Sequence, residues 1–288
     1  MLYKNAWDSI RPSLGVMQGR LSPPQRGRIQ SFPWGSWQNE FKYCNELDIS
    51  LMEWTIDSYN IENNPILLPK GIREIRTLSD FYNVRVLSVT CDFFMENPPW
   101  AAEGNSDFLK RLFTKLADAA GSLETQLKLV VPLVDSGSLR SNSDFHKVLD
   151  SLNIGYLQEA NCQILFETDY RPSDFKNLLA DVSVRNLGVN LDTGNSASLG
   201  IDPREEVLTF ERLIGNVHIK DREFQGGSVP LGSGATEVSV YLRYLMNIGY
   251  RQSFILQTAR AANQDHVGEI RRSIRYLMQI TEELEFES

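Results

Sequence analysis

The sequence contains few cysteines and no long apolar run. Only three of the 288 residues are cysteine, and Cys44, Cys91 and Cys162 are far apart, so we expect buried thiols in a reducing compartment instead of a disulfide framework. No apolar run approaches the roughly 20 residues that span a bilayer. The first residues lack the apolar segment and cleavage site of a signal peptide. We therefore expect a cytoplasmic protein without a membrane partner.

Positive charge is scarce as well. The 29 lysine and arginine residues are outnumbered by 37 aspartate and glutamate residues, which gives a formal net charge of -8. Binding to nucleic-acid phosphates depends on clustered lysine and arginine, so nucleic acid is not expected as a partner. The hydrophobic content of 42% suffices for a core without disulfides and excludes fibrous and disordered classes.

Short apolar runs rich in β-branched residues recur along the chain, and each is followed by a stretch with helical periodicity. Their starts lie on average about 34 residues apart, which leaves room for one strand, one helix and two short loops. The runs are SLGVMQG, SLMEWTID, VRVLSVTCD, LKLVVPLV, CQILFETD, LGVNLDTG, GNVHIKD and FILQTA.

This alternation predicts an α/β fold, specifically one (β/α)8 TIM barrel. Near-continuous apolar strands are typical of a parallel sheet buried on both faces, and eight such strands can close into a barrel. No linker rich in proline, glycine or serine interrupts the pattern, so we expect residues 1–288 to form a single domain. In this architecture the loops that follow the strands form the active-site face.

Four consecutive strands in the second half each carry a polar side chain that such a barrel would bring to one mouth. These are Glu167 in ILFETD, Asp192 in GVNLDTGN, His218 in NVHIKD and Gln257 in FILQTAR. A polar group inside an apolar strand is costly unless it is paired, hydrogen-bonded or bound to a metal. The set predicts a divalent metal site, with Mn²⁺, Co²⁺ or Mg²⁺ favoured and Zn²⁺ also compatible. The alternative is that these groups only neutralise each other or Lys220.

Cationic side chains are expected at the same mouth. Lys220 and Arg222 in HIKDR are suited to stabilise an oxyanion or a substrate phosphate, and the alternative is a rim ion pair with Asp221. In the long loop GRLSPPQRGRIQSFPWGSW, Arg20 is suited to a phosphate or carboxylate and Trp34 to the apolar face of a sugar. A packed loop with solvated arginines is the alternative there.

Together, several segments resemble the xylose isomerase-like TIM-barrel superfamily, the sugar phosphate isomerase/epimerase group. The group includes tagatose and psicose epimerases, hydroxypyruvate isomerase, inosose dehydratase and endonuclease IV. The resemblance covers essentially the whole chain and implies that Glu167, Asp192 and His218 are three of the four family metal ligands. It also implies homodimers or tetramers. The segments that carry it are GVMQGRLSP, MEWTID, FETD, NLDTGN, and HIKDR with the following GGSVPLGSG.

The sequence departs from the family pattern at two positions. The fourth ligand is usually a glutamate that also acts as the second acid/base group of the epimerases, but this chain has Gln257. An amide oxygen can bind a metal, whereas it cannot take up a proton near neutral pH. Asn195 stands where the family often has a histidine that contacts substrate. Gln257 therefore favours a one-base isomerisation or an elimination over a two-base epimerisation.

The predicted function is a metal-dependent isomerase or epimerase that acts on a small carbohydrate or sugar phosphate. Glu167 is expected to remove a proton next to a carbonyl, with a metal-stabilised enediolate and with Lys220 and Gln257 at the reacting centre. The residues expected to bind substrate are Asn195, Arg222, Arg20, Trp34 and Glu53, and Glu53 is expected in the pocket wall or in the core.

Two other functions are alternatives for the same barrel. One is a dehydratase acting on a related polyol or keto-sugar, and another is a barrel that binds carbohydrate after losing catalysis. Endonuclease chemistry is not expected, because its three-metal cluster needs more histidines than the three in this sequence. His146 and His266 fall on helices or helix starts and are expected to be exposed.

Overall fold

Eight parallel strands form a closed barrel within the residues that the computed structural model describes, which are 6–100, 106–123, 125–182 and 184–284. Each predicted apolar run overlaps one of these strands, with starts that differ by at most one residue, so the predicted barrel is confirmed. Around the barrel the order is β1-β8-β7-β6-β5-β4-β3-β2. The strands are β1 (Leu14–Met17), β2 (Leu51–Ile56), β3 (Arg85–Cys91), β4 (Lys128–Leu133), β5 (Gln163–Thr168), β6 (Leu187–Asp192), β7 (Ile214–Ile219) and β8 (Ser253–Leu256).

The helices surround the barrel, and the helix Pro203–Phe210 shows how the sequence marks a helix start. The side chain of Asp202 accepts a hydrogen bond from the Glu205 N–H at 2.8 Å, directly before a helix whose first residue is a proline. The helices are α1 (Ala6–Ile10), α2 (Trp37–Glu46), α3 (Pro69–Tyr82), α4 (Asp92–Glu96), α5 (Ser106–Ser122), α6 (Asn142–Ser151), α7 (Ile154–Glu159), α8 (Pro172–Ala180), α9 (Thr193–Ser198), α10 (Pro203–Phe210), α11 (Val238–Asn247) and α12 (His266–Glu282).

The side chains of β5 show how the strands divide between two cores. Phe166 points toward the helices and packs edge-on against Phe145 of α6 and Phe175 of α8, with ring centroids 5.1 and 6.1 Å away. Leu165 points the opposite way and fills the space over Gly215 of β7, where an added Cβ would lie 2.5 Å from Leu165 Cδ2. Alternation along the strand therefore sends Glu167 to the same side as Leu165, into the barrel.

Two properties expected from the composition can be compared with the structure. All three cysteines are buried and unpaired. Among the described residues, no helix has the length and apolarity needed to cross a membrane. We retain the single domain over residues 1–288 as a proposal, because strands and helices alternate along the described chain.

Removal of a core ring between α6 and β5 tests this packing. Phe145 is fully buried and its ring contacts Phe166 and Phe175, so Phe145→Ala leaves a cavity and is expected to lower the free energy of unfolding by about 3–5 kcal/mol. The measurement is urea unfolding followed by circular dichroism. Phe81→Ala is the matched control, because Phe81 is 77% exposed and its loss is expected to change stability by about 0.5 kcal/mol or less. Equal effects of both changes would contradict the packing described.

Candidate active site

The C-terminal ends of the strands surround a cavity of about 280 Å³. Its volume is close to the lower end of the range of about 300–1,000 Å³ that is typical of small-molecule sites. A larger cavity of about 530 Å³ lies at the opposite end, beside Ile214 and Gln252, but active sites of this fold lie at the C-terminal face. The polar lining of the smaller cavity comprises Arg20, Gln30, Thr90, Asp92, Asp135, Glu167, Asn195, Lys220, Arg222, Ser228 and Gln257.

Below this cavity, three neighbouring strands bring Glu167, Asp192 and His218 together. One ligand atom of each lies within 4.8 Å of the other two, and all three residues are buried. His218 Nδ1 is 3.2 Å from Glu167 Oε2 and 3.8 Å from Asp192 Oδ2. The residues come together because Asp192 and His218 are register partners on β6 and β7 and Glu167 is the penultimate residue of the adjacent β5. This triad could hold a metal ion.

The other ring nitrogen of His218 is held by Glu53. His218 Nε2 lies 2.6 Å from Glu53 Oε1, and Glu53 also accepts hydrogen bonds from Thr90 Oγ1 at 2.6 Å and Asn216 Nδ2 at 2.8 Å. A carboxylate on the remote nitrogen fixes the orientation of the ring, as is common for metal-binding histidines. Glu53 therefore lies beneath the cavity and does not line it. Of its two expected places the structure gives the core, because the inward face of β2 carries Glu53 into the barrel, and the expected contact with substrate does not match this geometry.

Electrostatics around His218 are dominated by buried carboxylates. Burial alone lowers the pKa of His218, but Glu53, Asp192 and Glu167 outweigh this effect and raise the pKa well above its ordinary value. Burial raises the pKa of Asp192, but Lys220 and His218 lower it by more, so the pKa lies below its ordinary value. A protonated His218 thus supplies positive charge that a bound metal ion would replace. Metal binding at these atoms would release a proton.

The residues present fit a divalent ion. Gln257 Oε1 is buried without a hydrogen-bond partner among the described residues, while Gln257 Nε2 donates to Met17 Sδ at 3.2 Å. Two carboxylates, one imidazole and a free amide oxygen are a suitable donor set. Asn190 Nδ2 donates to Glu167 Oε2 at 2.8 Å and lies 3.0 Å from His218 Nδ1, so Glu167 Oε2 would exchange this hydrogen bond for the ion.

Asn195 connects the carboxylates to the cations at the mouth. Its Nδ2 donates to Glu167 Oε1 at 2.6 Å, and its Oδ1 accepts from Lys220 Nζ at 3.1 Å and Arg222 Nη1 at 2.9 Å. Lys220 Nζ also donates to Asp192 Oδ2 at 3.3 Å. The Asn195 amide thus orients Glu167 through its nitrogen and holds the cationic groups of Lys220 and Arg222 through its oxygen.

The predicted alternative of a rim ion pair with Asp221 does not match the geometry. The Asp221 side chain instead accepts hydrogen bonds from backbone N–H groups of the following loop. Asp221–Arg222 also pair with Ser228–Val229 as a short antiparallel hairpin. Lys220 and Arg222 are left to face the cavity. The loop donors to Asp221 are Gly232 N at 2.9 Å, Gly234 N at 2.8 Å and Thr236 N at 3.0 Å.

The loop after β1 contributes one of its two expected binding residues to the cavity. Arg20 lines the cavity and is 4% exposed, and its Nε and Nη1 have no hydrogen-bond partner within the described part of the chain. Trp34 does not line the cavity. Its ring packs instead against Phe32 of the same loop and Tyr59, which follows β2, with centroids 4.8 and 6.3 Å away.

Several polar residues of the site escaped the sequence analysis. Asn190 and Asn216 each precede a triad residue by two positions, so the period of a strand sends them to the same interior face. Asp92 directly follows the apolar run VRVLSVTC and lines the cavity. A polar residue at a strand end was the signal that marked Asp192, and it was present for Asp92 too.

Neither remaining histidine joins the site. His146 is exposed, as expected. His266 is buried, which corrects the expectation of exposure, and neither ring nitrogen has a hydrogen-bond partner among the described residues. Burial and the nearby positive charge of Arg260 lower the pKa of His266. His266 is the first residue of α12 and its side chain is buried.

The family follows from the fold and from the sequence together. The family model for xylose isomerase-like TIM barrels matches residues 36–280, which is most of the chain. The chain therefore belongs to the xylose isomerase-like TIM barrel family, and the resemblance carried by its motifs is confirmed. No curated protein sequence gives a significant match.

Solved structures share this fold over nearly their whole lengths. A xylose isomerase domain protein from Planctomyces limnophilus is 15% identical, with a TM-score of 0.71 and coverage of 94% of this chain and 98% of that chain. The IOLI protein with a bound zinc atom is 13% identical, with a TM-score of 0.71 and coverages of 94% and 98%. D-psicose 3-epimerase, solved in the presence of D-fructose, is 12% identical, with a TM-score of 0.71 and coverages of 94% and 99%.

Removal of the charge on Glu53 tests the buried pair with His218. In metal-free protein, Glu53→Gln is expected to lower the free energy of unfolding by about 3–5 kcal/mol, because it leaves a buried partner uncompensated. The folded pKa of His218 is raised, so the stabilisation is complete below the ordinary histidine pKa of about 6.5 and is lost as the pH rises through the folded value. Urea unfolding in EDTA at several pH values is the measurement.

The control for this prediction is an exposed ion pair. Asp48 pairs with Arg11 on the surface, and Asp48→Asn is expected to change stability by about 1 kcal/mol or less at every pH. An effect of Glu53→Gln that is equally small, or that grows with rising pH, would contradict the pairing described.

Proposed function

We propose that this protein is a metal-dependent sugar or sugar-phosphate isomerase or epimerase that removes a proton next to a carbonyl and passes through an enediolate. The observation that carries the proposal is the double position of Glu167. This carboxylate lines the cavity and also belongs to the triad with Asp192 and His218. Structural relatives that act on ketoses or hold zinc, namely D-psicose 3-epimerase and the IOLI protein, support it.

Glu167 is the base of the proposed reaction. Asn195 and Asn190 each donate a hydrogen bond to one of its oxygens, at 2.6 and 2.8 Å, and hold the carboxylate in one orientation. Glu167 takes the proton from the carbon next to the carbonyl, and the C–H electron pair forms the double bond of the enediolate. Lys220 and Arg222 face the cavity and offset the negative charge that develops on oxygen. Return of the proton from Glu167 to the neighbouring carbon, with transfer of the remaining hydroxyl proton from one substrate oxygen to the other, gives the isomer.

Glu167, Asp192, His218 and the free Oε1 of Gln257 would hold the metal ion. Mn²⁺, Co²⁺ and Mg²⁺ suit this oxygen-rich set best, and Zn²⁺ is compatible with it. When bound, the ion supplies Lewis-acid stabilisation of the negative charge on substrate oxygens. Glu53 keeps the imidazole of His218 oriented from behind.

The substrate is proposed to be a small carbohydrate or sugar phosphate. Arg20 lines the cavity, and its Nε and Nη1 have no hydrogen-bond partner among the described residues, so the guanidinium suits a phosphate or several hydroxyl groups. Asn195 and Arg222 lie across the mouth on the side of Glu167. Trp34 has no part in this proposal, because its ring packs against Phe32 and Tyr59 and does not line the cavity.

Replacement of the base tests the reaction. Wild-type protein with Mn²⁺ in deuterium oxide is expected to incorporate deuterium into at least one of D-fructose, D-psicose, D-tagatose and D-fructose 6-phosphate, measured by proton NMR. Glu167→Gln is expected to lower that rate by about 10²- to 10⁴-fold, because the amide cannot take up the proton. Glu159→Gln, at an exposed position on α7, is the matched control. An unchanged rate in Glu167→Gln would contradict its role.

Metal binding is tested by Mn²⁺ titration with melting temperature and elemental analysis as readouts. Mn²⁺ is expected to raise the melting temperature of the wild type and to bind more tightly as the pH rises, because the proton on His218 must leave. Gln257→Glu is expected to tighten binding by about tenfold, which corresponds to about 1.4 kcal/mol.

Two histidine variants serve as the comparison for this titration. His218→Ala is expected to lose the Mn²⁺ response, whereas His146→Ala, which changes an exposed histidine, is expected to keep it. A wild type that neither contains metal nor responds to added Mn²⁺, Co²⁺, Mg²⁺ or Zn²⁺ would contradict the metal mechanism.

A further inference from the structure

Asp92 is a second acid in the cavity that the proposed reaction leaves unused. It follows β3 directly, is 6% exposed and lines the same cavity as Glu167, Arg20 and Gln257. Its Oδ2 is buried without a hydrogen-bond partner in the described part of the chain. A buried carboxyl oxygen that contacts no protein donor is costly. The cavity contents are therefore expected to complete its hydrogen bonding.

The surroundings of Asp92 favour its neutral form. Burial raises its pKa well above the ordinary value, and the negative charges of Glu167, Glu96 and Asp57 raise it further, while Arg20 opposes them. These groups come from the loops after β1 and β2, from β5 and from α4 itself. Asp92 is thus surrounded mainly by carboxylates, and it differs from Glu167 in having no amide donor on its buried oxygen.

The barrel order sets the angle between the two acids. β3 and β5 are separated only by β4, so Asp92 and Glu167 reach the cavity from directions about a quarter of the circumference apart. β7 lies opposite β3, so Lys220 approaches from the side facing Asp92. This arrangement suits two groups that act on adjacent atoms of one substrate, a carbon for Glu167 and an oxygen for Asp92. It does not suit two groups on opposite faces of one carbon.

We propose that Asp92 is the proton donor to a substrate oxygen in this cavity, an inference that rests on the proposed function. As Glu167 removes the proton from carbon, the C–H electrons form the carbon–carbon double bond. The carbonyl π electrons move to oxygen, and the enediolate that forms takes the proton of Asp92 and becomes an enediol. In the second half, Asp92 takes the proton of the neighbouring hydroxyl while Glu167 returns its proton to carbon. Both acids end as they began, and no co-reactant is needed.

This step explains how the site operates with Gln257. The amide cannot transfer a proton near neutral pH, so the last strand contributes no acid. Asp92 supplies one from the other side of the mouth, where its neutral form is favoured by its surroundings. Asp92 is therefore assigned as a catalytic residue for the oxygen and Glu167 for the carbon.

The first measurement needs no substrate. In protein labelled with ¹³C at the aspartate carboxyl groups, one resonance is expected to titrate well above the others and to be missing from Asp92→Asn. Asp150→Asn, at an exposed position on α6, is the matched control and keeps that resonance. If Asp92 is instead ionised throughout the neutral range, the inference is overturned whatever activity the protein has.

The second measurement is deuterium incorporation into the four ketoses used for Glu167. Asp92→Asn is expected to lower kcat by about 10²-fold with little change in KM, and to remove the alkaline limb of the kcat profile, where the wild type loses the Asp92 proton. Asp92→Glu, which keeps an acid, is expected to retain more activity than the amide. Circular dichroism and melting temperature establish that the variants are folded.

The outcomes separate this inference from the proposed function. Equal kcat values and pH profiles for wild type and Asp92→Asn would overturn the role of Asp92 and leave the isomerase proposal standing. Absence of incorporation by the wild type with any of the four ketoses, in protein that shows the high-titrating resonance, would overturn the proposed function and the transfer step with it.

Discussion

The buried imidazole of His218 is the group on which the arrangement of this barrel depends. Three carboxylates, from Glu53, Glu167 and Asp192, lie within 4 Å of its two ring nitrogens. Carboxylates in a barrel interior repel each other and lose their hydration, so they stay together only with a compensating cation between them. A proton on His218 supplies that charge in the metal-free protein, and a divalent ion would supply it in the metal-bound protein. The site is therefore coupled to the stability of the whole barrel.

The amides around His218 distribute its hydrogen bonds through the barrel. Asn216 Nδ2 donates to Glu53 Oε2 at 2.8 Å and to Asn190 Oδ1 at 2.7 Å, and its Oδ1 accepts from Ser253 Oγ at 2.6 Å. Lys128 Nζ donates a hydrogen bond to the same Ser253 Oγ at 3.0 Å. A network of this kind fixes side-chain orientation because each member would be costly if left unpaired. Rigid support of His218 from beneath is what presents Glu167 to the cavity in one orientation.

The sequence allowed the barrel and the triad to be predicted for one physical reason. Charged residues in apolar strands are conspicuous, and in a closed parallel barrel the strand ends must converge. The same reasoning misplaced Glu53, because an apolar run that is buried on both faces does not reveal how deep a residue lies. Asn190 and Asn216 were missed since neutral amides are less conspicuous than charges. The position of Trp34 depends on the path of a long loop. That path is set by aromatic contacts that no local sequence pattern encodes.

The charges around the metal site give a reason for Gln257 other than the loss of a catalytic glutamate. With a divalent ion bound, the two positive charges of the ion and that of Lys220 match the three carboxylates around a neutral His218. A glutamate at position 257 would add a fourth negative charge to this buried group, in a chain that already places Glu53 behind the histidine. The amide keeps an oxygen available for the ion and adds no charge. The cost is the second acid/base group for carbon, and the acid proposed in this cavity, Asp92, serves a substrate oxygen instead.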